Sequence, residues 1–161
     1  MIIFGKRLSE YVAFCKLFLV LILVVGIVRL ALSVGSGSNS IAKWLSITAV
    51  IWIGVLYYAI RVHTSGFGSY KQLLPICVLQ SLAAQAIIVP GIILAILTGK
   101  DNVFSVPESF FERTDGKSWL HVGLHLTVGT IIAPLLGWLV GCVIMFVTKK
   151  LVTKEKAAAR A

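Results

Sequence analysis

Four long apolar stretches run through this chain of 161 residues, and they restrict its fold more than any other feature. Each stretch approaches the roughly 20 predominantly apolar residues that a helix needs to cross a bilayer. Charged residues make up only 13% of the chain, against about 25% in soluble domains. A soluble globular domain is therefore excluded, and so is a disordered chain. The sequence predicts an all-α, multi-pass integral membrane protein.

The predicted spans cover residues 11–34, 44–60, 73–97 and 119–147. The links between them are short enough to make consecutive helices antiparallel neighbours, so the predicted fold is an antiparallel four-transmembrane-helix bundle. A single domain, residues 1–150, contains all four spans, and residues 151–161 form a basic tail that we expect to be mobile. Pro90 lies inside the third span, where a proline is expected to kink or break the helix, and Pro134 lies inside the fourth span.

The first span carries two further signals. Lys16 and Arg29 bracket its apolar core, and both are expected to snorkel to opposite interfaces. Lys6 and Arg7, followed by an apolar core and small residues, also resemble the start of a secretory signal peptide. Cleavage of such a peptide would leave three spans, and the sequence leaves this alternative open.

Lysine and arginine residues predict the orientation of the bundle. Ten of the fifteen fall on the side of the two termini and five on the other side. This excess places both termini in the cytoplasm, and the expected location is the cell inner (plasma) membrane. The net charge of +9 would suggest nucleic acid in a soluble protein, but here the basic residues flank the spans. They indicate contact with anionic membrane lipids, and no nucleic-acid partner is expected.

The link between the second and third spans, residues 61–75, combines basic residues with glycines and hydroxyl groups. Arg61, His63 and Lys71 are the candidate contacts to lipid head groups. The glycines and hydroxyls also permit a backbone nest for phosphate, although the GxxxxGK[ST] spacing of a P-loop is absent. The simpler interpretation is a basic turn that touches head groups.

Three cysteines, Cys15, Cys77 and Cys142, form no CxxC pair. In the predicted topology all three lie in the cytoplasmic half of the membrane, where disulfides are rare. We expect them to be small packing residues.

The fourth span contains a stripe of histidines and small residues at every fourth position. The stripe consists of His121, His125, Gly129, Ala133, Gly137 and Gly141. Positions four apart lie on one face of a helix, and small residues allow close backbone contact between helices in lipid. The four small residues therefore predict a packing face, whose partner is the first helix, the third helix or another protomer.

The two histidines of this stripe are candidate ligands for a divalent metal or for a haem or chlorin. A zinc site needs at least one more protein ligand, and Glu108, Glu112 and Asp115 of the third link lie on the same side of the membrane. Two histidines on one helix are unable to sandwich a haem, and His63 is predicted to lie near the opposite face of the membrane. The simpler interpretation is a pair of interfacial histidines hydrogen-bonded to loop backbone or head groups.

Gln80, Ser81 and Gln85 are strongly polar residues well inside the third span. Polar side chains in lipid point into the bundle and find partners there. These three predict either interhelical hydrogen bonds or, beside Pro90, a small polar pocket for a solute, a lipid or a quinone. The predicted spans contain no Asp or Glu, which argues against a proton-coupled carrier or an ion pump.

The third link, residues 99–118, is too long for a simple turn. Phe110 and Phe111 give it an apolar side, and a short helix is expected after Pro107. We expect either an interfacial or re-entrant segment or a docking patch for a partner.

No motif in the chain establishes an activity. Small membrane proteins without intramembrane acids, paired cysteines or a nucleotide motif are most often accessory components. The first expectation is therefore a non-enzymatic accessory or structural subunit that packs through its glycine-rich fourth helix into a homo-oligomer or a larger membrane complex, without a required cofactor. Two alternatives remain: a redox or pigment-binding subunit that uses His121 or His125 as ligand, and a small-solute or lipid transporter with a pocket on the third helix.

Overall fold

The computed structural model describes residues 1–36, 42–106 and 116–158. The chain is mostly helical, and four of its helices are long and apolar enough to span a membrane. The prediction of four helices of spanning length is thus confirmed. The four candidate spans are Leu8–Gly35, Ile47–Thr64, Tyr70–Thr98 and Trp119–Val152.

The elements follow one another as a short hairpin and a series of helices. They are strands β1 (Ile2–Ile3) and β2 (Lys6–Arg7), and helices α1 (Leu8–Ser36), α2 (Ile47–Thr64), α3 (Tyr70–Thr98), α4 (Trp119–Leu124) and α5 (Ala133–Ala158). A 3-10 turn, Ala42–Trp44, precedes α2, and a π-helical segment, His125–Ile132, joins α4 to α5. The fourth span, Trp119–Val152, consists of α4, the π-helical segment and most of α5. Residues 151–158 of the predicted tail are helical, and residues 159–161 lie outside the described part of the chain.

Local sequence explains where α2 begins and where α3 ends. Ser46 precedes α2, and its hydroxyl accepts a hydrogen bond from Ala49 N–H at 3.2 Å, as an N-cap serine does. Gly99 ends α3 in the left-handed conformation, at φ +70°, which glycine adopts without steric cost. Pro90 lies inside α3, which continues through it, so the expected break is absent.

The fourth span is not a uniform α-helix. Across the π-helical segment the hydrogen bonds reach five residues back, and Ala133 N–H accordingly donates to Val128 O. Pro134 follows directly and has no N–H to give to Thr130 O, the carbonyl four residues earlier. Pro134 thus coincides with a wider helical turn.

The helices bury two separate apolar clusters. The first joins α1, α2, α3 and α5 and includes Met145. The second joins α1, α2, α3 and α4 and includes Ile22 and Val122. The cysteines are free thiols, and Cys15 and Cys77 are buried in the first cluster, where they act as small packing residues.

A two-stranded hairpin that the sequence did not predict precedes α1. Phe4 and Gly5 form its turn, both with positive φ, at +47° and +82°. The hydroxyl of Tyr11 donates to Ile3 O at 3.0 Å. The side-chain amide of Gln72 donates to Phe4 O at 2.9 Å. The hairpin is therefore fastened to the first turns of both α1 and α3.

After α3 the chain turns back against α1 and α3 through residues 101–106, which we call the return segment. Asn102 Nδ2 donates to Gly91 O at 2.7 Å, which ties the segment to the second half of α3. Val103 N–H donates to Ser33 Oγ at 2.8 Å, which ties it to α1. The sequence left open whether the third link is re-entrant or interfacial, and this part of it folds back onto the helices.

The short helix and the apolar side expected for the third link fall on residues 107–115, including Pro107, Phe110 and Phe111, which lie outside the described residues.

The return segment also changes the environment of Arg29. Its guanidinium lies 5.5 Å from the centroid of the Phe104 ring, and the residue is only 6% exposed. Arg29 is therefore buried beneath the return segment instead of snorkelling outward as expected.

Candidate functional site

A cleft of about 230 Å³ lies between α2, α3 and the fourth span. Most of its lining is apolar, with residues such as Ile51, Val55 and Ile88. Trp52 and Leu136 line it and are also exposed on the outer surface of the helices. The cleft therefore reaches the surface that faces lipid when the chain is in a membrane.

Three polar side chains from two of the predicted sites meet at this cleft. They are Ser81 and Gln85 of α3 and His125 of the fourth span. His125 Nδ1 lies 3.0 Å from Gln85 Oε1. Because an amide oxygen only accepts hydrogen bonds, Nδ1 carries the proton and donates it. The hydroxyl of Ser81 donates to the backbone carbonyl of Gly129.

Gly129 makes the meeting of these side chains possible. A Cβ at this position would overlap the Gln85 side-chain amide, whose Cδ would lie only 2.7 Å away. The glutamine amide thus fills a notch in the fourth span that only glycine provides. The sequence indicated a packing function for Gly129 but did not indicate what would fill the notch.

The rest of the small-residue stripe contacts the same chain. A Cβ at Gly141 would lie 2.6 Å from Leu73 Cδ2 of α3, and one at Gly137 would lie 3.4 Å from Val55 Cγ2 of α2. Ala133 departs from the pattern, because it is exposed and lines the cleft. Within the chain, the three glycines therefore pack on α2 and α3.

The π-helical segment keeps this stripe on one side. In a regular α-helix a fourfold repeat drifts around the axis, because one turn takes only 3.6 residues. A π-type turn takes more residues than an α-type turn and opposes that drift. As a result His125, at the start of the segment, and Gly141, well beyond it, both face α3.

His121 lies one turn before His125, and the centroids of the two rings are 4.9 Å apart. His121 Nδ1 donates to Gly116 O at 2.8 Å, since a carbonyl oxygen only accepts. Both histidines therefore use Nδ1 as a donor, which leaves Nε2 as the acceptor nitrogen of each neutral ring. The expected hydrogen bond from a histidine to loop backbone is present at His121.

A metal site is not assembled within the described part of the chain, where no three His, Cys, Asp or Glu residues cluster. The proposed third ligands, Glu108, Glu112 and Asp115, lie outside the described residues. For a haem or chlorin, the cleft beside His125 is smaller than the roughly 300–1,000 Å³ of pockets that bury drug-sized ligands. His63 is no second axial ligand for this position, because it lies in the last turn of α2, next to the first cluster.

Gln80 does not join the cleft, although the sequence grouped it with its two neighbours. Its side chain points into a second glycine notch, at Gly54 of α2, where a Cβ would lie 3.1 Å from its Cδ. The residue is fully buried, and neither amide atom has a hydrogen-bond partner in the described structure. The predicted polar pocket therefore consists of Ser81 and Gln85 without Gln80.

The basic link between α2 and α3 uses its hydroxyl groups to close helix ends. Ser65 Oγ donates to Arg61 O at 2.6 Å at the end of α2. Ser69 Oγ bonds to Gln72 Oε1 at 3.1 Å at the start of α3. Arg61 and Lys71 are exposed and His63 is half-buried. The candidate head-group contacts are thus partly accessible, but these two serines serve the helix ends instead of a phosphate nest.

Comparisons of the chain with protein-family models, with curated proteins and with solved structures find no match. The argument for a function therefore depends on the geometry of the cleft. Of the features that the sequence singled out, the structure joins the third-helix polar residues with one histidine of the fourth span.

Proposed function

We propose that the chain is a membrane-embedded binding protein for a small lipid-soluble molecule, which occupies the cleft between α2, α3 and the fourth span. The single observation that carries this proposal is the composition of the cleft. Its walls are mostly apolar and reach the outer surface, and its polar side chains are few: Thr48 of α2, Ser81 and Gln85 of α3, and His125 of the fourth span. Ligand pockets commonly combine apolar walls with a few placed polar groups.

The proposed architecture is an antiparallel four-helix bundle in the inner membrane with both termini in the cytoplasm. Ser81 of α3 bonds to Gly129 of the fourth span. Gln85, one turn further along α3, bonds to His125, which precedes Gly129. From the first contact to the second, the residue number rises along α3 and falls along the fourth span, which supports an antiparallel pair. The excess of Lys and Arg on the side of the termini supports the orientation and a contact with anionic lipids there.

This proposal develops the alternative of a solute or lipid transporter in preference to an accessory subunit. The accessory function was inferred from the absence of motifs for an activity, with the glycine stripe of the fourth span as the expected packing face. Gly129, Gly137 and Gly141 are occupied by side chains of the same chain, so they offer no open surface to a second protomer. The cleft, in contrast, is a volume that the chain itself does not fill.

The test uses the protein in lipid nanodiscs and a brominated ring, 4-bromotoluene, which quenches nearby tryptophans. Trp52 lines the cleft, and its share of the emission is the part that is lost in Trp52→Phe. We expect saturable quenching of this share. Ala133→Phe, which places a ring in the cleft, should weaken binding at least tenfold.

Ala86→Phe is the matched control, because Ala86 is also exposed but does not line the cleft. It should leave the quenching curve unchanged. Quenching that never saturates and is equal in both variants would mean that the probe only partitions into lipid, and the proposal would then be wrong.

A further inference from the structure

We propose that the ligand of the cleft is a hydroxylated single-ring lipid, of the phenol or quinol class, whose hydroxyl donates a hydrogen bond to Nε2 of His125. This inference rests on the proposed function and specifies the chemistry of its ligand.

The first argument is the balance of donors and acceptors at the cleft. The hydroxyl proton of Ser81 is given to the Gly129 carbonyl. The amide nitrogen of Gln85 lies in the notch at Gly129, where it is the atom that a Cβ would meet first. Both potential donors of α3 are therefore directed at the fourth span. The Thr48 hydroxyl and the Trp52 indole N–H of α2 also line the cleft, so the preference for a donating ligand depends on the acceptor that the fourth span presents.

The second argument is the ring nitrogen that remains. His125 lines the cleft and donates from Nδ1 to Gln85. Nε2 of the neutral ring is then an acceptor, and no group in the described residues donates to it. An acceptor without a partner in an apolar setting is costly, and a ligand that donates a proton removes that cost. The geometry therefore favours a ligand whose hydroxyl group donates to this nitrogen.

The third argument is charge. The polar groups that line the cleft are two hydroxyls, an amide, an imidazole and an indole N–H, and the lining contains no Asp, Glu, Lys or Arg among the residues that the structure describes. A charged ligand would leave water without a counter-charge, which is unfavourable in an apolar environment. The ligand is therefore a neutral donor.

The fourth argument is size and shape. A cavity of about 150 Å³ with apolar walls binds benzene. The cleft here measures about 230 Å³, which leaves room for one ring with small substituents. An alkyl or isoprenoid tail leaves through the side where Trp52 and Leu136 reach the surface, and the indole of Trp52 offers an aromatic face to the ring.

The experiment compares 4-bromophenol with 4-bromoanisole in nanodiscs, by the quenching of the Trp52 share of the emission. The two probes differ by the methylation of the hydroxyl, which removes the donor and keeps the ring. We expect the ether to bind about tenfold more weakly, the factor that corresponds to one net hydrogen bond. Both probes are also titrated against the Ala133→Phe variant to show that the cleft is the binding site.

A second measurement does not require a variant at the site. The chain has only three histidines, so ¹⁵N-histidine labelling gives a spectrum of six ring nitrogens. His63→Gln and His121→Gln assign the signals of His125 by elimination. Addition of 4-bromophenol should move the Nε2 signal of His125 and leave that of His63 in place. 4-bromoanisole should move neither.

The two proposals fail in distinguishable ways. Equal affinity for the phenol and the ether, with an unmoved Nε2 signal, would overturn the hydroxyl inference and leave the cleft as a binding site. Failure of both probes to saturate would overturn the binding function itself. A tenfold preference together with a moved Nε2 signal supports both.

Discussion

The side-chain amide of Gln85 occupies the space that a Cβ at Gly129 would fill. Two helices are thereby brought together at one point, and the amide oxygen is placed 3.0 Å from His125 Nδ1. A small residue on one helix and a polar residue on another thus build one local structure.

Gly129→Ala should destabilise the protein by about 1–3 kcal/mol, because the new methyl group overlaps the Gln85 amide and displaces it from His125. Gly137→Ala is the matched control in the same helix. Its Cβ would lie 3.4 Å from Val55 Cγ2, an ordinary van der Waals distance. That variant should be neutral or stabilising by up to about 1 kcal/mol, since alanine is favoured over glycine in helices. Thermal unfolding in detergent measures the stability of both variants. Equal effects would contradict the claim that the Gln85 amide fills the space beside Gly129.

The two glutamines of α3 should respond in opposite directions to the same substitution. Gln85→Leu leaves the Nδ1 proton of His125 without its acceptor and should cost about 1–3 kcal/mol. Gln80→Leu removes a buried amide that has no partner in the described structure, and it should be neutral or stabilising. The unfolding midpoints of the two variants, each compared with the unmodified protein, measure these changes in stability. A large loss of stability in Gln80→Leu would show that the Gln80 amide is satisfied by a group such as a buried water.

Asn102→Ala should release the return segment from the helices. The Asn102 side chain donates to Gly91 O at 2.7 Å and accepts from Phe104 N–H at 2.9 Å, so one truncation removes both contacts. We expect faster hydrogen exchange at the Phe104 amide, with little change in the amides of α2. Asp101→Ala is the control, because its carboxylate forms an exposed ion pair with Lys117 at 3.2 Å, and such pairs contribute at most about 1 kcal/mol. Similar exchange in both variants would argue against the anchoring function of Asn102.

The proposed orientation predicts which ends of α3 a reagent reaches in intact cells. Lys71 lies at the start of α3 and Lys100 just after its end, and both are exposed. A membrane-impermeant maleimide added from outside should label Lys100→Cys and spare Lys71→Cys. The native Cys15 and Cys77 are buried and contribute little background. The reverse labelling pattern would place both termini outside the cytoplasm.

The spans were accessible to sequence reasoning because hydropathy is a summed property of about 20 residues and does not depend on tertiary detail. The shape of the fourth span was not. A fourfold stripe was evident from His121 to Gly141, yet the π-helical turn that holds it toward α3 depends on how the backbone relaxes around Pro134. The proline was a usable signal for irregularity, but it did not specify a wider turn.

The candidate site shows the same division. The sequence assigned Ser81 and Gln85 to a polar pocket and His125 to a separate metal or cofactor site. Spacing along one helix carries no information about the residues of the facing helix. Outside the site, the burial of Arg29 and the anchoring contact of Asn102 were not predicted, because both depend on how the return segment folds back onto the helices. Arg29 has the sequence appearance of an interfacial residue, and only the return segment, through Phe104, changes its environment.

The π-helical segment also holds about one residue more than an α-helix needs for the same rotation. Each residue of an α-helix advances the side-chain direction by about 100°. If the segment relaxed to a regular α-helix at its present length, His121 and its neighbours would therefore turn by about that angle relative to Gly141, away from α3. Deletion of one residue between His125 and Ile132 that restored α-helix would instead leave both ends of the span facing nearly the same way as before. The wider turn is thus the means by which this span contains one residue more without moving the helix faces on either side.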